Sequence, residues 1–299
     1  MPQKNAPAKP DRKPQKTAPA LVSGRWILSA VGISIAAAAL CIWVALCLLF
    51  WQGNWQLLYH PASAITRTPA SVGFQFDSIA FATGDSGVPQ LRGWWIPGPL
   101  QPRFTVLYLH GADGNLSTVV DTFIPLHAAG VNVFAFDYRG YGMSRFEHPT
   151  EPRWSNDAEA ALGYLTSTRH IPVTNIVVAG NGLGADLALE IAAAHPGLAG
   201  VVLDNPLHDP ASVIFNDPRA HLVPAHWLVR DRWNMTAPAA NLRIPSLWIR
   251  RGAQAAGHDA YQNVTARKVE VWLTNPAEAE KNETTALKNW LDSLGAASQ

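Results

Sequence analysis

The apolar positions divide the chain into one long uninterrupted stretch and a series of short ones. The long stretch runs from Trp26 to Trp51 and contains no charged residue. A helix rises about 1.5 Å per residue, so this stretch spans a hydrocarbon core about 30 Å thick with some tilt. Tryptophans stand at both of its ends, where membrane interfaces favour aromatic rings. Since a cleaved signal peptide has a shorter apolar region of about 7–15 residues, the pattern predicts an uncleaved transmembrane anchor at residues 26–51.

Short apolar or alternating segments follow the anchor and have the length and composition of β-strands. They lie at 73–82, 91–96, 104–109, 131–136, 175–179, 198–203, 246–249 and 269–273, and helical segments fall between or after them at 118–129, 156–166, 187–194 and 286–294. This alternation indicates an α/β fold with a mostly parallel sheet covered by helices on both faces. Residues 206–241 break the alternation and are rich in Pro, His and Trp. We predict a cap there, with a helix at 220–230.

The charge distribution orients the chain. The formal net charge of +1 gives no case for nucleic-acid binding, but residues 1–25 carry six basic residues and one acidic residue, a balance of +5, which leaves −4 for the rest. Because basic segments next to a span stay in the cytoplasm, we expect a single-pass protein with a disordered cytoplasmic tail at 1–25. A juxtamembrane connector at 52–72 and a folded domain at 73–299 then lie outside the cytoplasm, in the periplasm if the organism is Gram-negative.

The residue types give no expectation of a metal or cofactor. Both cysteines, Cys41 and Cys47, lie in the anchor, so the domain has no disulfide framework and no Cys-based metal site. The candidate ligands in the predicted cap match no standard metal-ligand spacing; they are His208, Asp209, His221 and His226. The glycines at 180–184 superficially resemble a dinucleotide loop, with Asp204 as the ribose acid, but the last glycine of that pattern is replaced by Ala185.

The segment from Val177 to Asp186 has the frame of a nucleophile elbow. It reads Val-Val-Ala-Gly-Asn-Gly-Leu-Gly-Ala-Asp, and Gly180 and Gly184 stand where the framing glycines of G-x-S-x-G stand, after a strand and before an apolar helix. Gly182 occupies the position of the serine. Because glycine has no side chain, this position cannot supply a nucleophile. Glycine also adopts the strained dihedral angles of an elbow freely, so we expect Gly182 to relieve strain.

Three more motifs accompany the elbow and carry a family resemblance. Residues 109–115 (Leu-His-Gly-Ala-Asp-Gly-Asn) resemble the H-G-x-x-G-N loop of α/β-hydrolases, 136–144 (Phe-Asp-Tyr-Arg-Gly-Tyr-Gly-Met-Ser) the D-Y-R-G-Y-G-x-S segment, and 228–233 (Leu-Val-Arg-Asp-Arg-Trp) an L-x-R-D-R-[FW] stretch. Between about residues 57 and 294 the chain resembles the single-pass membrane-anchored branch of the α/β-hydrolase superfamily, related to serine aminopeptidase-like and acyl-ester hydrolases. The resemblance implies an α/β-hydrolase fold after the anchor.

The same resemblance places the catalytic residues, and all three roles are vacant. The nucleophile maps to Gly182. The acid, in a pattern like H-G-x-x-D, maps to Ala255 or a neighbour, and the histidine, in a pattern like G-x-G-H, maps to residues 273–280, which contain none. In a shifted alignment His258 or Asp259 is a degenerate remnant. The joint loss indicates natural decay of a Ser-Asp-His triad.

The backbone of an oxyanion hole survives the loss of side chains. In this fold it uses the N–H after the nucleophile and an N–H of the H-G-x-x-G-N loop, here those of Leu183 and Ala112. His110, Asp113 and Asn181 are further ligand-binding candidates, although His110 is more often structural and Asp113 more often a surface residue.

The leading hypothesis is a non-catalytic pseudohydrolase with a ligand-binding or scaffolding role. Its partners would be the bilayer, a small acyl or carboxylate ligand and a protein, without nucleic acid. The alternative is a residual or unconventional esterase, lipase or peptidase acting on acyl esters or amides, in which another group activates water or a serine elsewhere, Ser117 or Ser144, attacks. A vestigial loop retained for folding also remains open.

Overall fold

The structure, a computed structural model, describes residues 23–84, 87–99, 102–207, 209–252 and 260–296. By its internal contacts the chain separates into two compact units, residues 1–46 and 47–299. The first helix, α1 (Gly24–Gly53), begins in the first unit, and its last turns belong to the second. Among the described helices it is the one long and apolar enough to cross a membrane, a property that signal sequences share.

The second unit is built on an eight-stranded sheet. Ten strands occur in the described ranges: β1 (His60–Pro61), β2 (Asp77–Ala82), β3 (Pro89–Ile96), β4 (Thr105–Leu109), β5 (Asp113–Gly114), β6 (Asn132–Asp137), β7 (Ile176–Asn181), β8 (Gly200–Asp204), β9 (Ser246–Arg251) and β10 (Lys268–Leu273). The sheet order is β10-β9-β8-β7-β4-β6-β3-β2, and β1 pairs separately with β5. β3 runs antiparallel to both neighbours, and the other pairs are parallel. The predicted α/β-hydrolase fold is confirmed.

Helices cover both faces of the sheet. They are α2 (Phe123–Ala128), α3 (Glu151–Gly163), α4 (Leu183–Ala194), α5 (Ser212–Phe215), α6 (Ala225–Leu228), α7 (Thr236–Asn241), α8 (Ala260–Asn263) and α9 (Ala279–Ala296). The fully buried strand β4 shows why two cores are needed: Leu107 packs in one apolar cluster, while Val106 and Tyr108 pack in the other. This alternation follows from the two-residue period of a strand. Helices α3 and α4 contribute to the first core, and α2 and α9 to the second.

The region between β8 and β9 differs from the sequence expectation in detail. The helix predicted at 220–230 is wrong: a 3₁₀ turn (Pro218–Leu222) and the short α6 are separated by the non-helical residues Val223 and Pro224. Pro224 lacks an N–H and disfavours helical dihedrals at the preceding residue, and Val223 is accordingly extended, with φ −134° and ψ 162°. The helix predicted at 118–129 is also divided, into a 3₁₀ segment (Leu116–Thr122) and α2.

Candidate active site

The elbow joins β7 to α4 through Gly182, which has φ 56° and ψ −124°. Its N–H donates to the Asp204 carbonyl at 3.0 Å, and its own carbonyl accepts the Ala185 N–H at 3.0 Å. These bonds hold a conformation that residues with a side chain rarely adopt. The elbow therefore has its strained backbone although the residue at its tip cannot react.

The three glycines of the elbow have different reasons to be glycine. A Cβ at Gly180 would collide with the Gly184 carbonyl, and a Cβ at Gly184 would collide with the Leu109 and His110 carbonyls. A Cβ at Gly182 would meet nothing within 4 Å. The framing glycines are thus required by close packing of backbone on backbone, whereas the nucleophile position opens into free space.

The loop after β4 lies against this elbow. A Cβ on Gly111 would stand 3.2 Å from the Asn181 carbonyl oxygen. The carbonyl of Ala112 accepts the Tyr141 hydroxyl at 2.9 Å and the His60 N–H at 3.0 Å, so this peptide group is fixed from two sides. Neither the Ala112 N–H nor the Leu183 N–H donates a hydrogen bond to another group in the described part of the chain. One of these donors follows Gly182 directly, and the other belongs to the loop whose Gly111 lies against Asn181 of the elbow.

Asn115 explains the end of the loop motif. Its side-chain oxygen accepts the Ser117 N–H at 2.8 Å, and its amide donates to the carbonyls of Ala62 and Ala64 at 3.0 and 2.8 Å. The side chain is fully buried. It caps the following 3₁₀ segment and ties the loop to the connector at the same time.

His110 does not reach the site. Its ring is fully buried between Tyr138, Tyr141 and Trp154, with Nδ1 2.8 Å from the Gly111 carbonyl oxygen. Burial lowers the pKa of His110 to about 4, which keeps the ring neutral. The ligand-binding role considered for His110 is therefore wrong for its side chain, because no part of the ring is accessible.

Asp137 lies behind the same loop. Its Oδ1 accepts the Leu116 N–H at 2.8 Å and stands 3.6 Å from His110 Nε2, which has no hydrogen-bond partner among the residues that the structure describes. Burial raises the pKa of Asp137 to about 7. His110 and Asp137 support the loop after β4, and burial favours the uncharged form of both side chains.

The sheet edge where the acid and the histidine of a triad would meet is filled by a polar cluster. We call Asn181, Asp204, Arg251 and Glu283 the edge cluster. Arg251 Nε and Nη2 donate to the two carboxylate oxygens of Asp204 at 2.8 and 3.0 Å, and Nη2 also donates to Glu283 at 2.7 Å. The Asn181 amide donates to Asp204 at 2.9 Å.

The edge cluster assigns a role to Asn181 that the sequence pattern did not reveal. Because its amide is bound to Asp204, Asn181 supports the turn rather than offering this donor to a ligand. The desolvated carboxyl of Glu283 has a raised pKa, against which the Arg251 charge acts. The signal in the sequence was the placement of Asp204 and Arg251 at the ends of two consecutive strands, where parallel order brings them together.

The predicted acid position, Ala255, and the shifted alternatives, His258 and Asp259, lie outside the described residues, as does His208. The loop that would carry the histidine, residues 274–278, contains none. Asn275 forms a local turn there by accepting the Ala277 N–H at 3.1 Å.

Asp113 lies at the surface, with its side chain 84% exposed. Its Oδ1 is 2.7 Å from His60 Nδ1, and the pairing of β1 with β5 places these two residues opposite each other. His60 is a residue that the sequence analysis did not consider. The arrangement leaves the other ring nitrogen of His60 without a hydrogen-bond partner among the described residues.

Neither alternative serine is placed as a nucleophile. Ser117 is buried and its Oγ accepts the Thr66 N–H at 3.1 Å. Ser144 Oγ donates to the Asp137 carbonyl and accepts the Arg92 N–H at 2.9 Å. Both hydroxyls hold loops together.

A second buried carboxyl lies just behind the elbow. Asp186, in the first turn of α4, accepts the Leu207 N–H on Oδ1 at 3.1 Å, and its Oδ2 has no partner among the described residues. Burial raises the pKa of Asp186 well above its ordinary value. Sequence reasoning passed over it because an acidic residue in the first helical turn reads as an ordinary favourable interaction with the helix dipole.

The L-x-R-D-R-[FW] motif has a structural role. Asp231 accepts the Tyr59 hydroxyl at 2.8 Å, and the indole N–H of Trp233 donates to the same hydroxyl at 2.9 Å. Trp233 is buried and has φ 46°. The motif therefore attaches the region between β8 and β9 to the segment that follows α1.

The described ranges contain side chains of the types that could bind a metal ion. No three His, Cys, Asp or Glu side chains converge there in a way that could hold a metal ion. His221 and His226 line one cavity, but the His226 ring stacks on Phe215 with centroids 4.4 Å apart.

Comparison with known proteins identifies the family. The serine aminopeptidase S33 family matches residues 100–272, more than half of the chain. The chain belongs to this family. The S33 match runs from before β4 into β10, and so contains the elbow, the loop after β4 and three residues of the edge cluster, Asn181, Asp204 and Arg251, whereas Glu283 lies beyond it.

Three relatives illustrate how far the likeness of this S33 chain extends. An uncharacterized protein of Mycobacterium tuberculosis is 28% identical over 209 residues, covering 69% of this chain and 72% of the relative. The uncharacterized protein YfhR of Salmonella typhi is 32% identical over 136 residues, 44% of each chain. Alpha/beta hydrolase domain-containing protein 17C of Xenopus tropicalis is 32% identical over 118 residues, covering 39% of this chain and 37% of the relative.

Solved structures show the same fold. An esterase of Pyrococcus furiosus superposes with a TM-score of 0.60 at 20% identity, covering 78% of this chain and 98% of the esterase. An α/β hydrolase of Vibrio vulnificus superposes with a TM-score of 0.58 at 18% identity, covering 75% of this chain and 82% of the hydrolase. At these identities the likeness concerns the fold alone.

Proposed function

We propose that this S33 chain is a membrane-anchored pseudohydrolase that binds a carboxylate or an ester carbonyl without cleaving it. The observation that carries the proposal is the elbow itself. Gly182 keeps the backbone of a nucleophile elbow and two backbone donors stand free beside it, while the nucleophile position is empty.

The energetics of a missing nucleophile support a binding role over a catalytic one. In well-studied hydrolases the loss of the serine lowers turnover on the order of 10⁶-fold, although about 10³–10⁴-fold over water persists through the oxyanion hole and binding. The donors at Ala112 and Leu183 need no side chain and are fixed before a ligand arrives. The N-terminus of α4 adds a favourable dipole for a negative charge.

The anchor belongs to the same proposal. α1 has the length and apolar character of a span, and the basic residues precede it. We propose that α1 stays in the membrane as a single pass with the tail in the cytoplasm and the folded unit on the other side. Esters and free fatty acids of medium chain length are then the first ligands to test, since the Pyrococcus furiosus relative by fold is an esterase.

A pair of variants at Leu183 tests the oxyanion donors. Leu183 is the first residue of α4, where an N–H has no partner inside the helix and proline is tolerated. Leu183→Pro removes the donor, and Leu183→Ala removes a similar amount of apolar packing but keeps the donor. Binding of octanoate to the full chain in detergent is measured by calorimetry, and folding is checked by circular dichroism.

The expected result is that Leu183→Ala binds octanoate close to the parent and that Leu183→Pro binds it about 10–100-fold more weakly, the effect of one hydrogen bond to a charged group. Equal binding by both variants, or none by the parent, contradicts the proposal. Stoichiometric labelling of the parent by a fluorophosphonate contradicts it as well, because such a reagent needs an activated nucleophile.

One observation favours residual hydrolysis as a second candidate. The His60–Asp113 pair has the geometry in which a carboxylate orients an imidazole, and His60 is bonded through its backbone to Ala112. His60 would then activate water. In that case hydrolysis of p-nitrophenyl octanoate by the full chain falls at least tenfold in His60→Ala, and an unchanged rate excludes this candidate.

A further inference from the structure

Large apolar side chains are exposed around the point where α1 ends. Within the second unit the last turns of α1 expose Leu48 and Leu49, with 58% and 68% of their surface accessible, while Phe50 is buried in the domain core. The chain then forms a single 3₁₀ turn, Asn54–Leu57, which we call the exit turn. Asn54 caps the helix by donating to the carbonyls of Phe50 and Trp51.

One flank of the exit turn is the loop after β6. The His148 ring stacks on Trp55 of the exit turn with centroids 4.7 Å apart, and Phe146 contacts His148 with centroids 5.9 Å apart. Phe146 is 79% exposed, and Met143 in the same loop is 70% exposed. An apolar loop is thus fixed next to the end of the helix.

The other flank is the region between β8 and β9. Helix α5 packs directly on the exit turn and carries Val213, which is 55% exposed. Phe215 of α5 stacks on His226, and the next residue, Trp227, is 88% exposed. A cavity of about 320 Å³ lies beside Trp227 and is lined by His221 and His226 and by apolar residues that include Phe215 and Val223.

We infer that these two flanks form a membrane-docking surface that inserts into the lipid interface beside the end of α1. The surface consists of Met143, Phe146, Val213 and Trp227, and the inference rests on the membrane anchor of the proposed function. Both flanks contact the exit turn, one through the stack of His148 on Trp55 and the other through α5, so anchoring α1 in a bilayer brings this face to the lipid. A membrane interface favours a tryptophan that is 88% exposed.

Basic residues next to the docking surface also favour a lipid bilayer as its occupant. Arg145 lies between Met143 and Phe146, is 61% exposed and stands 3.5 Å from a carboxylate oxygen of Glu147, and Arg230 and Arg232 follow Trp227 and are exposed. Arginines beside interfacial aromatic rings reach phosphate headgroups while their stems remain in the apolar layer. The bilayer is therefore favoured over a protein partner, and the region between β8 and β9 faces the membrane from which an acyl ligand would come.

Spin labels in the full chain test the surface. The two native cysteines are replaced by alanine, and single cysteines are placed at Phe146, Trp227, Leu40 of α1 and Lys288 of α9, an exposed control outside the surface. Each labelled protein is reconstituted into vesicles of phosphatidylcholine and phosphatidylglycerol. Collision rates with oxygen, which concentrates in lipid, and with a water-soluble nickel chelate are compared by electron paramagnetic resonance.

The expected result is an oxygen-to-nickel collision ratio several-fold higher at 146 and 227 than at 288, with the highest ratio at 40. Labels at 146 and 227 that behave like the label at 288, while 40 lies in lipid, overturn the docking surface and leave the anchor intact. A label at 40 in water overturns the anchor and the surface together. Labels at 146 and 227 shielded from both reagents overturn the inference in favour of a second copy or a protein partner.

Discussion

The guanidinium of Arg251 binds both carboxylate oxygens of Asp204 at the sheet edge where a hydrolase of this family would assemble its acid and histidine. Glu283, from the last helix, binds the same guanidinium. β8, β9 and α9 each contribute one charged group, so the contact joins three elements at this end of the sheet. We interpret the edge cluster as having a stabilising role.

Removal of the Arg251 charge tests this interpretation. In Arg251→Met two carboxylates that are 8% exposed lose their counter-ion. We expect the free energy of unfolding to fall by about 2 kcal/mol, less than the 3–5 kcal/mol of a fully buried pair because the Arg251 side chain is 37% exposed. Urea unfolding of the full chain in mild detergent measures the change.

The control is the exposed ion pair of Arg219 with Asp217, where Arg219→Met is expected to cause no measurable change. Adding Asp204→Asn to Arg251→Met should recover part of the lost stability, since it removes one unpaired charge. Equal stability of Arg251→Met and Arg219→Met would show that the edge cluster does not stabilise the fold.

Substitution of Gly182 distinguishes the effect of a steric clash from the effect of backbone strain. The position has room for a side chain but φ is 56°. Gly182→Ser is therefore expected to fold with the free energy of unfolding lowered by about 1 kcal/mol through backbone strain. It should remain unlabelled by fluorophosphonates because the loop after β10, residues 274–278, contains no histidine to activate the serine. Thermal unfolding and gel-based labelling check both expectations.

Gly180→Ala and Gly184→Ala serve as matched controls for this substitution. Both should destabilise the fold more than Gly182→Ser, since their added methyl groups meet backbone carbonyls. A Gly182→Ser protein more stable than the parent would refute the strain argument. Efficient labelling of that variant would mean that a general base exists near the elbow.

Sequence patterns were informative for features that depend on the conformation and packing of the backbone. The strand segments and the mostly parallel sheet were predicted from the apolar runs, the elbow frame from its glycines and the loop at 109–115 from its resemblance to a hydrolase motif, and the structure places elbow and loop together. The edge cluster was not predicted, because Arg251 and Glu283 are 32 positions apart and meet only through the crossover of the last strands. The helix predicted at 220–230 failed for a local reason, the proline at 224.

Side-chain roles were harder to predict than backbone positions. His110 and Asn181 have residue types that could serve a ligand, yet one is enclosed by aromatic rings and the other is bound to Asp204. The enclosure of His110 depends on Tyr138 and Trp154, which are distant from it in sequence. His60 shows the reverse case, since its position opposite Asp113 depends on a two-residue strand pairing with no periodic signal.

The buried His110–Asp137 pair predicts an unusual pH dependence. Burial raises the pKa of Asp137 from 3.8 to about 7, so between these values the folded chain keeps a proton that the unfolded chain loses, and stability falls as pH rises. Burial lowers the pKa of His110 from 6.5 to about 4, so between these values stability rises with pH. The two effects oppose each other between about pH 4 and 6.5.

The substitution Asp137→Asn isolates the effect of the His110 titration on the free energy of unfolding. The amide oxygen still accepts the Leu116 N–H, but the opposing titration is gone. We expect the unfolding free energy of this variant to rise between pH 4 and 6.5, relative to the parent, by up to about 1.4 kcal/mol per pH unit. Urea unfolding at several pH values measures the difference. Asp113→Asn, at an exposed position, should run parallel to the parent; parallel curves for Asp137→Asn would contradict the assignment.

The Tyr59 hydroxyl connects the segment after α1 with the region between β8 and β9. It donates to Asp231 and accepts the indole N–H of the buried Trp233. In Tyr59→Phe both groups lose this partner, and we expect the free energy of unfolding to fall by about 1–3 kcal/mol, the cost of leaving a buried polar group unsatisfied. Tyr164→Phe is the matched control, since the Tyr164 hydroxyl has a longer contact of 3.3 Å with Arg169, and it should change stability by less than about 0.5 kcal/mol. A loss of stability in Tyr59→Phe as small as that in Tyr164→Phe would mean that the Tyr59 hydroxyl contributes nothing beyond the packing of its ring. Apolar contacts alone would then hold this region against the end of the helix.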